Sequence, residues 1–267
     1  MYNFPGLSVC NVELTSRCLK SCPMCGRRKL EKLDKSLCNW GDMEFSLVEL
    51  IAKQLPKNII VQAHNNGETT LYPRLKEALH RFKRQIRCFN TNGMHLLEKA
   101  NDIIENLESL TISVITNDPL GDKQYEDVKK FLEIKGSKKP TMVYRLLGNV
   151  ENAERWYKLP GLVATRILHN PEGSINYTKK VTIPETGYCL DALSHMAVNR
   201  FGLVSLCVRY DPYNELVIGD AKTTSLADIW NGEKRMAIIK KHIEGKRDQL
   251  AYCGHKCHFY GVPRGND

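Results

Sequence analysis

The rhythm of this chain limits its fold more than any other feature: short β-branched runs alternate with helical patterns through the first 170 residues. "SVCNVEL" (8–14) reads as a buried strand and "SLVELIAKQL" (46–55) as a helix with one apolar face. "NIIVQAH" (58–64) is the next strand, and Pro73 opens the helix "PRLKEALHRFKR". "IRCFN", "LTISVIT" (110–116), "TMVYRLL" and "LVATRIL" read as further strands, separated by the helical patterns "HLLEKANDIIENL", "KQYEDVKKFLEI" and "ENAERWYKL". Strand–helix units in series predict a parallel sheet with right-handed crossovers. Six units fall short of a full eight-unit barrel, so both a partial (β/α)6 TIM-like barrel and a doubly wound open sheet are consistent. Either would bind its ligands at the C-terminal ends of the strands. The pattern then changes. "HNPEGSINYTKKVTIPETG" reads as a connection, "HMAVNR-FG-LVSLCV" as a hairpin turning at Gly202, and "SLADIWNGEKRMAIIKKHI" as one or two helices capped by Ser225. The expected organisation is α/β: a main domain over 1–170, a linker over 171–186, and a small hairpin-plus-helix extension over 187–267.

The ten cysteines are unevenly placed. Cys10, Cys18, Cys22, Cys25 and Cys38 lie near the start; Cys189, Cys207, Cys253 and Cys257 lie near the end; Cys88 stands between. No apolar run approaches the roughly 18 residues needed to cross a bilayer, and the start "MYNFPGLSV" lacks a signal-peptide pattern. The cytoplasm is the default expectation, with no membrane partner. There, clustered thiols point to metal binding or catalysis rather than disulfides. Two clusters suggest two sites. The net charge of +9 leaves a nucleic-acid partner open, although the Lys and Arg runs are interrupted in the manner of solvated helix faces.

"CLKSCPMC" (18–25) brings three thiols into one loop after the first strand. A closed zinc site would want a fourth thiolate, from Cys10 or Cys38. A 4Fe–4S cubane held by three cysteines keeps one iron open to a cofactor. On this motif the sequence resembles the radical S-adenosylmethionine (radical SAM) enzymes, whose CxxxCxxC cysteines match Cys18, Cys22 and Cys25. Met24 stands where that family usually has an aromatic residue. "HNNGETTLYP" is similar to the family's glycine-glycine-glutamate-proline stretch, with Gly67 and Glu68 matching and Asn66 and Thr69 departing. The resemblance implies that Glu68 receives the amino group of S-adenosylmethionine (SAM). "NTNG" (90–93), with Asn92, resembles the loop after the third strand, and Ser113 matches a ribose-binding serine. Arg145 and Arg166 interrupt apolar strands, where a buried guanidinium needs an anion. A structural ion pair and a catalytic or carboxylate-binding role both fit them.

The tail resembles the SPASM/twitch extension of certain radical SAM enzymes, which implies one auxiliary 4Fe–4S cluster on Cys189, Cys207, Cys253 and Cys257. His255 and His258 stand as substitutes for one thiol, and a four-cysteine zinc ribbon is the bland alternative. The resemblance further implies reductive SAM cleavage at the N-terminal 4Fe–4S cluster and an external one-electron reductant such as flavodoxin or ferredoxin. The substrate would be a small or nucleotide-like molecule. Oxidation, with the auxiliary cluster as electron acceptor, is the leading reaction. Rearrangement or modification of a nucleoside, nucleic acid or peptide is the second, and a non-catalytic zinc protein binding nucleic acid is the third. The early first strand leaves an expectation of no leader-peptide domain.

Overall fold

Alternation along the strands shows what each face of the sheet must meet. The computed structural model describes residues 3–22, 25–166, 189–208, 211 and 214–256. Its first half runs β1 (Val9–Val12), α1 (Gly26–Leu33), α2 (Phe45–Gln54), β2 (Ile60–Gln62), α3 (Leu75–Arg81), β3 (Ile86–Thr91), α4 (Ala100–Ile103), β4 (Ser109–Ile115), α5 (Gly121–Lys135), β5 (Thr141–Leu147) and β6 (Leu162–Arg166). Cys10, Val12, Val61, Phe89, Leu110, Ile112, Tyr144 and Leu146 point one way into the hydrophobic core. The alternate positions carry a polar row in register: Asn11 beside Gln62, Gln62 beside Cys88, Asn90 beside Thr111, and Ser113 beside Arg145. A sheet covered by helices on both faces would read as apolar throughout. This one has a dry face and a polar face.

The strand order, β6-β5-β4-β3-β2-β1-β7-β8-β9, decides between the two architectures. A doubly wound sheet reverses direction at a switch point, placing helices on both faces. Here β1 to β6 add monotonically to one side, and all are parallel. Right-handed crossovers moving one way put every helix on the same face. That is the winding of a partial barrel, whose polar row becomes the inner wall.

The second half contributes α6 (Leu190–Ser194), β7 (His195–Val198), β8 (Leu203–Ser205), β9 (Val217–Asp220), α7 (Leu226–Asn231) and α8 (Glu233–Ile243). β7 pairs in parallel with β1, and β8 and β9 follow antiparallel. The hairpin of the extension therefore continues the sheet. Gly202 turns it at φ +93, with Asn199 Oδ1 accepting from the backbone N–H of Phe201 and Leu203, both at 3.0 Å. Ser225 caps α7 by accepting from Asp228 N at 3.1 Å. The Trp230 indole donates to the Pro5 carbonyl at 2.9 Å and Gln54 accepts from Leu226 N at 2.7 Å, which binds α7 to the first half.

Three local readings change. The segment expected as a long helix over 95–107 is mostly turns around α4, which ends before Glu105 at φ +64. "ENAERWYKL" forms a 3-10 helix, Ala153–Lys158, that buries Trp156. α1, directly after the third thiol, has no counterpart in the sequence reading. The linker over 171–186, together with Cys257 and His258, lies outside the described residues.

Candidate functional site

β1 ends into the thiol loop, and two neighbouring loops close on it. Gly67 sits at φ +79, and a Cβ there would lie 2.5 Å from the Thr15 carbonyl oxygen. Only glycine lets the loop after β2 approach the loop after β1 this closely. The approach is secured by Glu68 N donating to the Arg17 carbonyl at 2.7 Å. Within the motif, Lys20 is ion-paired with Asp118 in the loop after β4. Their side chains are only 10% and 4% exposed, so the pair pins the thiol loop from the other side.

Glu68 is buried and gathers four donors. Its Oε1 accepts from Thr70 N (3.2 Å), Thr70 Oγ1 (2.7 Å) and Thr91 Oγ1 (2.6 Å), and its Oε2 accepts from Asn92 N (2.8 Å). A carboxylate offers about four acceptor positions over its two oxygens, so Oε2 keeps room for a further donor. Asn92 passes the connection on, its Nδ2 lying 3.9 Å from Cys18 Sγ. Gln124 of α5 donates to the carbonyls of Asn92 (2.7 Å) and Ser113 (3.0 Å), tying the ends of β3 and β4 together. Cys18, Glu68, Gly67 and Asn92 thus meet at one place, with Ser113 one strand further on. Arg145 lies opposite Ser113 on the inner wall, and its charge helps lower the pKa of His64. Arg166 ends β6, and its side chain is exposed because β6 is the edge of the sheet rather than a buried strand.

The three N-terminal thiols feel one another. Burial raises the pKa of Cys18, with Glu68 and Cys25 adding to the rise. Burial pushes Cys22 up to about 11, reinforced by Cys25 and Cys18. Thiols held this way need a positive partner to become ligands. A second imbalance points the same way. Arg27, in the first turn of α1, is 4% exposed and stacks on Trp40, its Cζ 4.1 Å from the ring centroid, yet its Nε and Nη1 are buried without a hydrogen-bond partner among the described residues. No acid lies in that first turn, although the positive end of a helix favours anions. A cubane on three thiolates carries net negative charge, so the surroundings fit one.

Two residues that sequence reasoning passed over line the remaining polar space. Glu13, just beyond β1, is buried. It accepts from Asn66 Nδ2 at 2.9 Å, and desolvation raises its pKa against that bond. It faces a cleft of about 270 Å³, shared with Trp40, Asn66, Asn199, Arg200 and Cys207. His64 continues the polar row past β2, where its Nδ1 accepts from Asn90 N at 3.3 Å. Burial, aided by Arg145, takes its pKa down to about 4. Glu13 and His64 were legible as polar interruptions at the ends of apolar runs. Their facing the inner wall depends on strand register.

In the extension, Cys189 caps α6, Cys207 follows β8, and Cys253 lies in a π-turn at Tyr252–Lys256. All three line one small cavity with Leu206, Ile238 and His242. His242 was passed over as well. It is 2% exposed, and burial, followed by the charge of Arg247, takes its pKa down to about 4. The side chain of His255 is outside the described set. Among the described residues, no three His, Cys, Asp or Glu side chains converge as a single metal ion would require.

Comparison with known proteins adds to this. Residues 189–258 match the SPASM family, an iron–sulfur cluster-binding domain. The fold is similar to that of BtrN, in a crystal structure with AdoMet and 2-DOIA (TM-score 0.61, 18% identity, 93% of this chain and 92% of that one). It is also similar to Streptococcus suis SuiB bound to its precursor peptide SuiA, at TM-score 0.62 and 13% identity, covering 88% of this chain and 66% of that one. At such identities the likeness is one of fold. A search of curated proteins finds no match.

Proposed function

We propose that this chain, a radical SAM protein with a C-terminal SPASM/twitch extension, oxidises a small polar substrate by hydrogen-atom abstraction. One observation carries the reading: the loop of Cys18, Cys22 and Cys25 follows β1, with Cys18 beside Asn92 and Asn92 bonded to Glu68, while Cys189, Cys207 and Cys253 line a separate cavity within a SPASM region. The N-terminal cluster would be held by Cys18, Cys22 and Cys25, and the auxiliary cluster by Cys189, Cys207, Cys253 and Cys257. Bound with SAM and reduced by a flavodoxin- or ferredoxin-like donor, the first cluster would supply the radical that takes a hydrogen atom from the substrate, a basic residue would take the proton, and the second cluster would accept the remaining electron.

The chain's own residues do the rest. Glu68 holds the loops after β2 and β3 together and offers Oε2 to the SAM ammonium. Ser113 and Arg145 line the wall where the nucleoside and its carboxylate would lie. The cleft at Glu13 presents carboxylate, amide and guanidinium groups to a substrate, and Cys207 forms part of its wall. This placement favours oxidation, because a substrate seated there borders a residue of the electron-accepting site.

Anaerobic reconstitution tests the reading directly. Wild type should bind iron and sulfide in equal amounts and release 5′-deoxyadenosine from SAM under reducing conditions. Zinc in place of iron, with no SAM cleavage, would sink the proposal in favour of a zinc protein.

A further inference from the structure

The extension buries a side chain that none of the described residues satisfies. His242 lies on α8 (Glu233–Ile243), and both its Nδ1 and its Nε2 are buried without a hydrogen-bond partner. Buried polar groups nearly always find a partner, and an imidazole carries at least one N–H in either protonation state. The cavity it faces is lined by apolar groups such as Leu206, Leu216 and Ile238, by Asp191, Arg247 and Tyr252, and by three thiols. The only described sulfurs at that cavity are those of Cys189, Cys207 and Cys253, so whatever the thiols hold is what the imidazole would meet.

We propose that His242 donates a ring N–H to the sulfur of the auxiliary cluster, acting as a positioning and tuning residue rather than a ligand. The inference rests on the cluster assignment above, in which four cysteines occupy the four corners. Hydrogen bonds to the sulfurs of an iron–sulfur cluster raise its reduction potential by stabilising the more negative, reduced form. A SPASM cluster that must accept an electron benefits from that shift. His242 thereby makes the extension a better electron sink than its thiols alone would.

The test uses the full chain in a Cys22→Ala/Cys25→Ala background, so that the auxiliary cluster alone gives a signal. His242→Phe removes the donor, and His242→Asn keeps an N–H at similar reach. With iron retained, His242→Phe should lower the reduced-to-oxidised ratio at fixed potential about tenfold, equivalent to about 59 mV for a one-electron couple. His242→Asn should lie closer to the parent. Pulsed electron paramagnetic resonance should show a weak nitrogen coupling in the parent that disappears in His242→Phe. Loss of iron from His242→Phe but not from His242→Asn would also support the donor role. Loss from both, with the helices intact by circular dichroism, would assign His242 to packing and overturn the proposal. So would an unchanged potential in iron-replete His242→Phe. A strong coupling typical of a coordinated nitrogen would instead make His242 a ligand, and the donor role would fall. Absence of a second cluster from the wild type would defeat the underlying assignment, which is a different result from any of these.

Discussion

Replacing Glu68 separates what the carboxylate does for the fold from what it does for a cofactor. In the apo chain it accepts from two hydroxyls and from two backbone N–H groups, those of Thr70 and Asn92. In Glu68→Ala the hydroxyls of Thr70 and Thr91 can turn elsewhere. The two N–H groups cannot, because their positions are set by the 3-10 turn Thr69–Leu71 and by the end of β3. Each buried donor left unsatisfied costs about 1–3 kcal/mol, giving roughly 4 kcal/mol for the pair. For a chain of this size that corresponds to a fall in Tm of about 10 °C. Glu68→Gln keeps one acceptor oxygen and should cost only about 1–2 kcal/mol. Urea unfolding of the apo proteins, followed by far-UV circular dichroism, measures both. An Ala variant as stable as the wild type would refute the argument that Glu68 is a strut. SAM titration of the reconstituted Gln variant then reports the cofactor role at nearly native stability, and weakened binding with full iron content is the expected result.

Other expectations follow from the same geometry. Cys18→Ala, Cys22→Ala and Cys25→Ala should each abolish 5′-deoxyadenosine production, and detectable product from any of them would count heavily against the cluster. Cys253→Ala/Cys257→Ala should keep about half the iron and still cleave SAM, yet form little oxidised product; normal product formation would refute the electron-acceptor role. Lys20→Met leaves Asp118 buried without its partner and should destabilise the apo chain by about 3–5 kcal/mol, read from its denaturant midpoint. His64 has a folded pKa of about 4 against an ordinary 6.5. Between these values the unfolded chain takes up a proton that the folded one refuses, so its contribution to stability is complete above pH 6.5 and disappears as pH falls toward 4. His64→Asn, whose Oδ1 can replace Nδ1 as acceptor for Asn90 N, should make the fall in Tm over that range shallower. Parallel pH profiles for the two proteins would contradict the assignment.

The repeating strands and helices were legible because they depend on local periodicity. The direction of winding was not: monotonic and doubly wound sheets use the same βα units, and only the pairing of β1 with both β2 and β7 separates them. Cys18, Cys22 and Cys25 were readable because their partners lie within one loop. Cys189, Cys207 and Cys253 needed a resemblance, since more than 60 residues separate the first from the last. Arg27 and His242 escaped for a further reason. Each sits in an unremarkable run, and its significance comes from what surrounds it in space: a tryptophan face for the one, a cavity edged with thiols for the other. Arg166 shows the converse, a cation that looked buried on a strand which turned out to be the sheet's edge.

If the extension accepts an electron as proposed, the pairing of β7 with β1 also bears on electron movement. β8, which leads into Cys207, stands two strand spacings from β1, about 10 Å across the ladder. Among the described residues, the lateral offset between β1 and β8 is therefore built from backbone hydrogen bonds. Electron tunnelling falls off exponentially with distance, so a flexible joint would make the transfer rate fluctuate with every opening motion. A rung-counted gap removes that fluctuation. Slipping the β1–β7 register by one residue would change the distance between the two thiol sites, and with it the rate, without replacing any thiol.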